Sequence, residues 1–329
     1  MKQARVFSVI IVTTLALYGM IGFYCFPMAS FEGSLTRMSM LPETYFGWTR
    51  AQPAIDPKLM KSSSWQEADV LVIGDSFSAK LLWQSVLTKQ GLHVRTESWG
   101  WVHGVCEDFT DWARDNGFKG KYVVIESIES DVEDRLSKSV NCKQTSRGTD
   151  FDMIASPPAV QIDRGDVHFD GRMSIGILTQ LNYFKYQKIS RAPDFEEWLL
   201  PNKVRMLRMD NGCDLFSHRR CNDVLFLQDD IERELDKSTF DHIEKINSHM
   251  TGVIPIWVVI PNKSTVYLYP NKKYWDELEH RFNSPNVLRV FRQAVQNNIV
   301  DLYPGNEFHV STTGSLMLGD LIYKSMIHK

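Results

Sequence analysis

The sequence predicts an α/β domain on a central parallel sheet of about five strands, arranged as a three-layer sandwich and tethered by an N-terminal transmembrane helix. Three observations carry this. Apolar runs without polar alternation recur at Ala68–Gly74 (ADVLVIG), Tyr122–Ile125 (YVVI) and Val253–Ile260 (VIPIWVVI), as expected of parallel strands buried on both faces. Helical stretches separate them. The chain also opens with Lys2 and Arg5 followed by an uncharged run, Val6–Phe26.

That run of about 21 residues spans about 30 Å as a helix, the hydrocarbon thickness of a bilayer. The basic flank stays cytoplasmic and the remainder lies outside. A cleaved signal peptide is the alternative, but its apolar region is shorter and ends in small residues, which Met28-Ala29-Ser30 supplies poorly. The division is a cytoplasmic tip (1–5), an anchor (6–26), a stalk (27–65) and an α/β domain (66–329) interrupted by an irregular insertion at about 140–225.

Within the domain, the first strand leads into a helix over Phe77–Gln90, closed by Gly91. His93–Ser98 is a second strand, followed by Trp99-Gly100-Trp101. The helix Glu107–Asn116 precedes the third strand. The pattern is lost across the insertion, which holds Pro157-Pro158 and the aromatic stretch Tyr183–Tyr186. It returns with a helix over Asp229–Met250, the strand at Val253, a helix over Pro285–Asn298, a fifth strand at Ile299–Tyr303 and a closing helix over Thr312–Ile327.

Beyond Cys25, which falls in the anchor, four cysteines remain. Outside the cytoplasm an even number favours disulfides, Cys213 with Cys221 and Cys106 with Cys142. Zinc is the other reading, but no CxxC spacing exists and His218 is the only nearby histidine. With net charge −3, no basic arm and no repeat, nothing suggests a nucleic-acid partner.

Active sites in parallel sheets form at the carboxyl ends of strands. Asp75-Ser76, Gly100, Glu126, Pro261-Asn262-Lys263 and His309 all fall after strands in this reading. A serine just past a strand and at a helix start faces free backbone N–H groups, which suit a nucleophile whose intermediate is an oxyanion. A simple helix cap is the bland alternative.

The string Gly74-Asp75-Ser76-Phe77 near the start of the domain, with His309 in a strand-to-helix loop near its end, resembles the SGNH (GDSL) hydrolase superfamily. The resemblance implies an SGNH-type three-layer fold with Ser76 as nucleophile and His309 as base. The family's Asp-x-x-His block reads Asn306-Glu307-Phe308-His309 here, so Asn306 becomes the orienter of the imidazole, with Glu307 or Asp301 as alternatives. His103, His168 and His218 are weaker base candidates. Ser76 and Gly100 would supply the oxyanion-hole N–H groups.

Glu126 replaces the family's usual asparagine block, and Val259–Tyr267 (VIPNKSTVY) is similar to the Pro-x-Lys-x-x-x-Tyr segment of the alginate O-acetyltransferase branch. The order of blocks is that of ordinary SGNH enzymes. Asp75, Glu126, Lys263 and Tyr267 are the substrate-binding candidates it implies. The expectation is an extracytoplasmic O-acyltransferase modifying an exported polysaccharide. It would use no cofactor and draw its acyl group from a multi-spanning membrane acyltransferase. A carbohydrate esterase of the same fold and a non-enzymatic partner in a glycan assembly complex are the alternatives.

Overall fold

The computed structural model describes residues 2–25, 28, 32–145, 173–230, 237–269 and 273–327. His168 and Pro157-Pro158 lie outside them. The described strands are β1 (Val70–Gly74), β2 (Val94–Ser98), β3 (Tyr122–Ile128), β4 (Glu197–Leu200), β5 (Val204–Arg208), β6 (Asp223–Leu227) and β7 (Ile254–Ile260). They fall in two compact units. One comprises residues 1–50, 161–229 and 304–308; the other 51–160, 230–303 and 309–329.

The second unit holds a four-stranded sheet in the order β2-β1-β3-β7, every pairing parallel. β1 is buried along its whole length, as an interior strand covered on both faces must be. β7 is an edge strand rather than an interior one, and Pro255 near its start is tolerated there because an edge leaves one side of the ladder unpaired. The fifth strand expected at Ile299–Tyr303 does not form. Those residues make turns, with Asp301 in a left-handed conformation (φ 56°) and Leu302 and Tyr303 fully buried.

Helices cover this sheet because their apolar residues recur on one side. In Val287–Gln296 the buried residues are Val287, Leu288, Phe291 and Ala294, and Asn286 caps the start by accepting from Arg289 N at 3.0 Å. The helix Thr312–Ile327 packs so closely that a Cβ on Gly319 would lie 2.4 Å from the Trp83 carbonyl oxygen. Cys106 and Cys142 are disulfide-bonded in this unit.

The first unit corrects two expectations. The segment read as a stalk forms the short helices Ser34–Ser39 and Glu43–Phe46; Leu35 and Phe46 on them and Leu41 between them are fully buried with Tyr183, Tyr186 and Val204. The region read as irregular carries a helix, Met173–Ile189, and an antiparallel sheet in the order β4-β5-β6. β5 alternates between buried and less buried positions, the pattern of a sheet with one covered face. Cys213 and Cys221 form the second disulfide, which consumes both thiols that a zinc reading would need. The 24-residue helix Lys2–Cys25 is long and apolar enough to cross a bilayer.

Candidate functional site

The reactive-looking residues of the second unit gather where β1 ends. After Gly74 the chain does not enter a helix directly; residues 76–80 form turns and the helix runs only over Gln84–Lys89. The expected helix N-terminus at Ser76 is therefore replaced by an Asx-type turn. Asp75 Oδ1 accepts from Phe77 N at 2.9 Å, and Ser78 N donates to the Asp75 carbonyl at 3.0 Å. Ser76 occupies the exposed position of this turn.

Four neighbours fix the turn. Asp75 Oδ2 accepts from Ile128 N at 2.9 Å and from Arg135 Nη1 at 2.7 Å, and the same arginine nitrogen donates to Ser127 Oγ at 2.8 Å. Glu126 Oε2 accepts from Asp75 N at 3.0 Å and from Ser78 Oγ at 2.6 Å, while Trp83 Nε1 donates to Ser78 Oγ at 3.0 Å. Gly74 is required beneath them: a Cβ there would sit 2.3 Å from Ser78 Oγ and 2.8 Å from Glu126 Oε2.

Glu126 has no solvent exposure, and it lies inside β3 rather than after it. Burial first, then the nearby Asp75 charge, pushes its carboxyl well above the usual carboxylate range. Its Oε1 has no hydrogen-bond partner among the described residues. Asp75 and Glu126, the expected substrate-binding residues, tie the end of β1 to β3.

His309 meets the turn from the other end of the sequence. Its Nε2 lies 2.7 Å from Ser76 Oγ across 233 positions, and its ring packs on Phe77 with centroids 4.8 Å apart. A neutral imidazole at that distance can take the hydroxyl proton, the arrangement that activates a serine for attack on a carbonyl. Phe77 thus packs against the His309 ring, a contact the GDSF string did not disclose.

The remaining candidates are placed differently from the expectation. Asn306 is fully buried in the first unit; its Nδ2 donates to Glu43 Oε1, and its Oδ1 accepts no hydrogen bond among the described residues. Glu307, in the same unit, accepts from Ser34 N at 3.0 Å and from its neighbour Phe308 N at 2.9 Å. Asp301 shares the unit of His309 and is fully buried.

Gly100, the expected oxyanion donor, lies in the short helix Trp99–Val102. Its N–H donates to the capping Ser98 Oγ at 3.1 Å. A short helix after β2 needs an N-cap, and that need occupies the donor.

Lys263 is 1% exposed rather than presented to substrate. Its helix, Lys263–Tyr267, follows the carboxyl end of β7 among buried acids: Asp230 accepts from Ser264 N at 3.1 Å, and Glu129 accepts from Asn262 N at 3.0 Å and Thr265 Oγ1 at 2.6 Å. Burial raises Asp230 to about 6, opposed by the Ser264 N–H and, more weakly, by the Lys263 charge. The Tyr267 hydroxyl accepts from Tyr303 N at 3.3 Å, so it supports the turn before His309.

Beside Gly100 opens a cleft of about 840 Å³ lined by Trp99, His103, Arg135, Lys138, Asn141 and the Cys106–Cys142 disulfide, among others. His103 contributes here rather than at Ser76. His218 is buried in the first unit against Phe46 and Phe216. Arg135, Ser78 and Trp83 had no signal in the sequence: each is an ordinary residue whose role comes only from the strand neighbours the fold gives it. No family model, curated protein or solved structure matches this chain.

Proposed function

We propose that this protein is an extracytoplasmic serine acyl-transfer enzyme, anchored by the helix Lys2–Cys25, that moves an acyl group onto a hydroxyl of an exported polysaccharide. The observation that carries the reading is the 2.7 Å approach of His309 Nε2 to Ser76 Oγ on an exposed, rigidly held turn. His309 accepts the Ser76 proton as Oγ forms a bond to the donor's acyl carbon; the donor's leaving oxygen or sulfur departs with that proton. The acyl-serine is then attacked by a sugar hydroxyl, whose proton passes to His309 and on to the Ser76 oxygen as the ester bond breaks.

Trp99, Arg135, Lys138 and Asn141 give the neighbouring cleft the mixture of apolar surface and hydrogen-bonding groups that suits a glycan acceptor. A multi-spanning membrane acyltransferase would deliver the acyl group. The tests are trapping and transfer. The purified chain incubated with p-nitrophenyl acetate is expected to release p-nitrophenol in a burst and to retain one acetyl group on the peptide carrying Ser76. Release that water alone completes, with no acetyl moving to an added oligosaccharide, would make it an esterase.

A second reading is favoured by the engaged Gly100 N–H and by the partners of Asn306: a non-enzymatic glycan-binding domain. It is chosen instead if no acetyl-serine forms while an oligosaccharide still binds.

A further inference from the structure

Large apolar side chains that face solvent are rare on the folded part of this chain. Among the described residues outside the helix Lys2–Cys25 there are five: Leu178, Leu181, Phe184, Leu199 and Ile327. Three of them lie on one helix, Met173–Ile189, at 48%, 56% and 55% exposure, at successive intervals of three. That spacing puts them along one side, over about 9 Å of helix. The opposite side is buried through Thr179, Gln180, Tyr183 and Tyr186. An isolated exposed leucine needs no explanation, but an ordered row of three does.

The neighbour of this helix supplies the explanation. Gly176 lies so close to the last residue of the long apolar helix that a Cβ on it would be 2.2 Å from the Cys25 carbonyl oxygen. Gly22 and Cys25 are the buried residues of Lys2–Cys25, while its apolar side chains from Val6 to Tyr24 are outward-facing. The row of Leu178, Leu181 and Phe184 therefore begins within a turn of the point where the apolar helix ends. Lys185 and Lys188 follow on the same helix, both exposed, with Lys185 Nζ 5.8 Å from the Trp198 ring. Long cationic side chains on the side of an apolar row can reach headgroups while the apolar residues enter the boundary below them.

We infer that the helix Met173–Ile189 rests on the outer face of the bilayer, with Leu178, Leu181 and Phe184 in the boundary between headgroups and acyl chains. The inference rests on the anchor reading of Lys2–Cys25. It makes the insertion a membrane-seating element that extends the contact begun by the anchor.

The full chain, carrying Cys25→Ala, is labelled with an environment-sensitive fluorophore at one introduced cysteine and reconstituted in phosphatidylcholine–phosphatidylglycerol vesicles with acyl-brominated lipid. Labels at Leu178→Cys, Leu181→Cys and Phe184→Cys are expected to lose emission about twofold or more, given a burial of about 5–10 Å. A label at Gln187→Cys, on another side of the same helix, is expected to lose much less, so that quenching follows the helix period. Leu15→Cys reports the anchor. If Leu15→Cys is quenched and the three face positions are not, the inference is wrong and the anchor stands. Blue-shifted but unquenched emission at those three assigns the face to a protein partner and overturns the lipid assignment. If Leu15→Cys is itself unquenched, the anchor reading fails and takes the inference with it.

Discussion

The two units bury acids for different ends. In the second, Glu126 sits under the Ser76 turn and spends its bonds on Asp75 N and Ser78 Oγ. In the first, Glu43 spends its bonds on Thr36 and Asn306, within a core of Leu35, Leu41 and Phe46. Both are pushed upward by burial, Glu43 to about 7. A parallel sheet aligns its strand ends, so a buried acid at that edge can hold a reactive turn. In the antiparallel unit Glu43 instead joins the helices Ser34–Ser39 and Glu43–Phe46 to Asn306. A raised carboxyl is thus no sign of catalysis by itself; what lies above it decides.

The strongest test of that contrast is Ser76→Ala, expected to lower acyl transfer by ~10⁴-fold or more while changing thermal stability by less than ~1 kcal/mol. Burst kinetics and calorimetry check the two halves. A stability loss without an activity loss would reduce the turn to the same structural status as the Glu43 cluster.

The disulfides come next. Opening Cys106–Cys142 by a double serine substitution frees a loop of 36 residues and is expected to cost about 4 kcal/mol. Opening Cys213–Cys221 frees only 8 and should cost about 2.5 kcal/mol. Denaturant unfolding in each variant measures the difference, and equal losses would show that loop length is not what sets them.

Glu43 supplies a pH signature of the first unit. Its folded pKa is raised, so the folded state holds the proton more tightly than the unfolded one. Its contribution to stability is therefore fully present below about 4.5 and is lost as pH rises through about 7, by about 3 kcal/mol in total. Glu43→Gln is expected to flatten that slope in urea melts at stepped pH. An unchanged slope would move the titration to another group.

The smallest effect concerns Gly100. Ser98→Ala removes the cap that holds its N–H, and should cost about 1 kcal/mol of stability. If Gly100 also serves the oxyanion, the variant's acyl-transfer rate rises or holds; a fall would assign Ser98 itself a part in the site.

The sheet was largely legible in advance because its strands are unbroken apolar runs: 70–74 and 254–260 could be little else. Ile299–Tyr303 misled because Leu302 and Tyr303 are buried like strand residues, yet Asp301 turns the chain there. The insertion looked irregular because the strand Val204–Arg208 alternates with arginines and faces a covered side only in part. Ser76 and His309 drew attention through their local strings, and their meeting follows from the parallel edge. The hydrogen bonds of Gly100 and the burial of Lys263 had no sequence signal for one reason. Sequence position says which residue follows a strand, but not which neighbour claims its hydrogen bonds.

The tilt of Phe77 against His309, 53° between ring planes at a centroid distance of 4.8 Å, has a spectroscopic consequence. An aromatic ring current that close displaces the resonances of the imidazole carbon-bound protons from their random-coil positions. In proton NMR the His309 ring protons should therefore be displaced, and Phe77→Leu should return them toward those positions. Its titration could then be followed in the intact protein, with no substrate, before any activity is known.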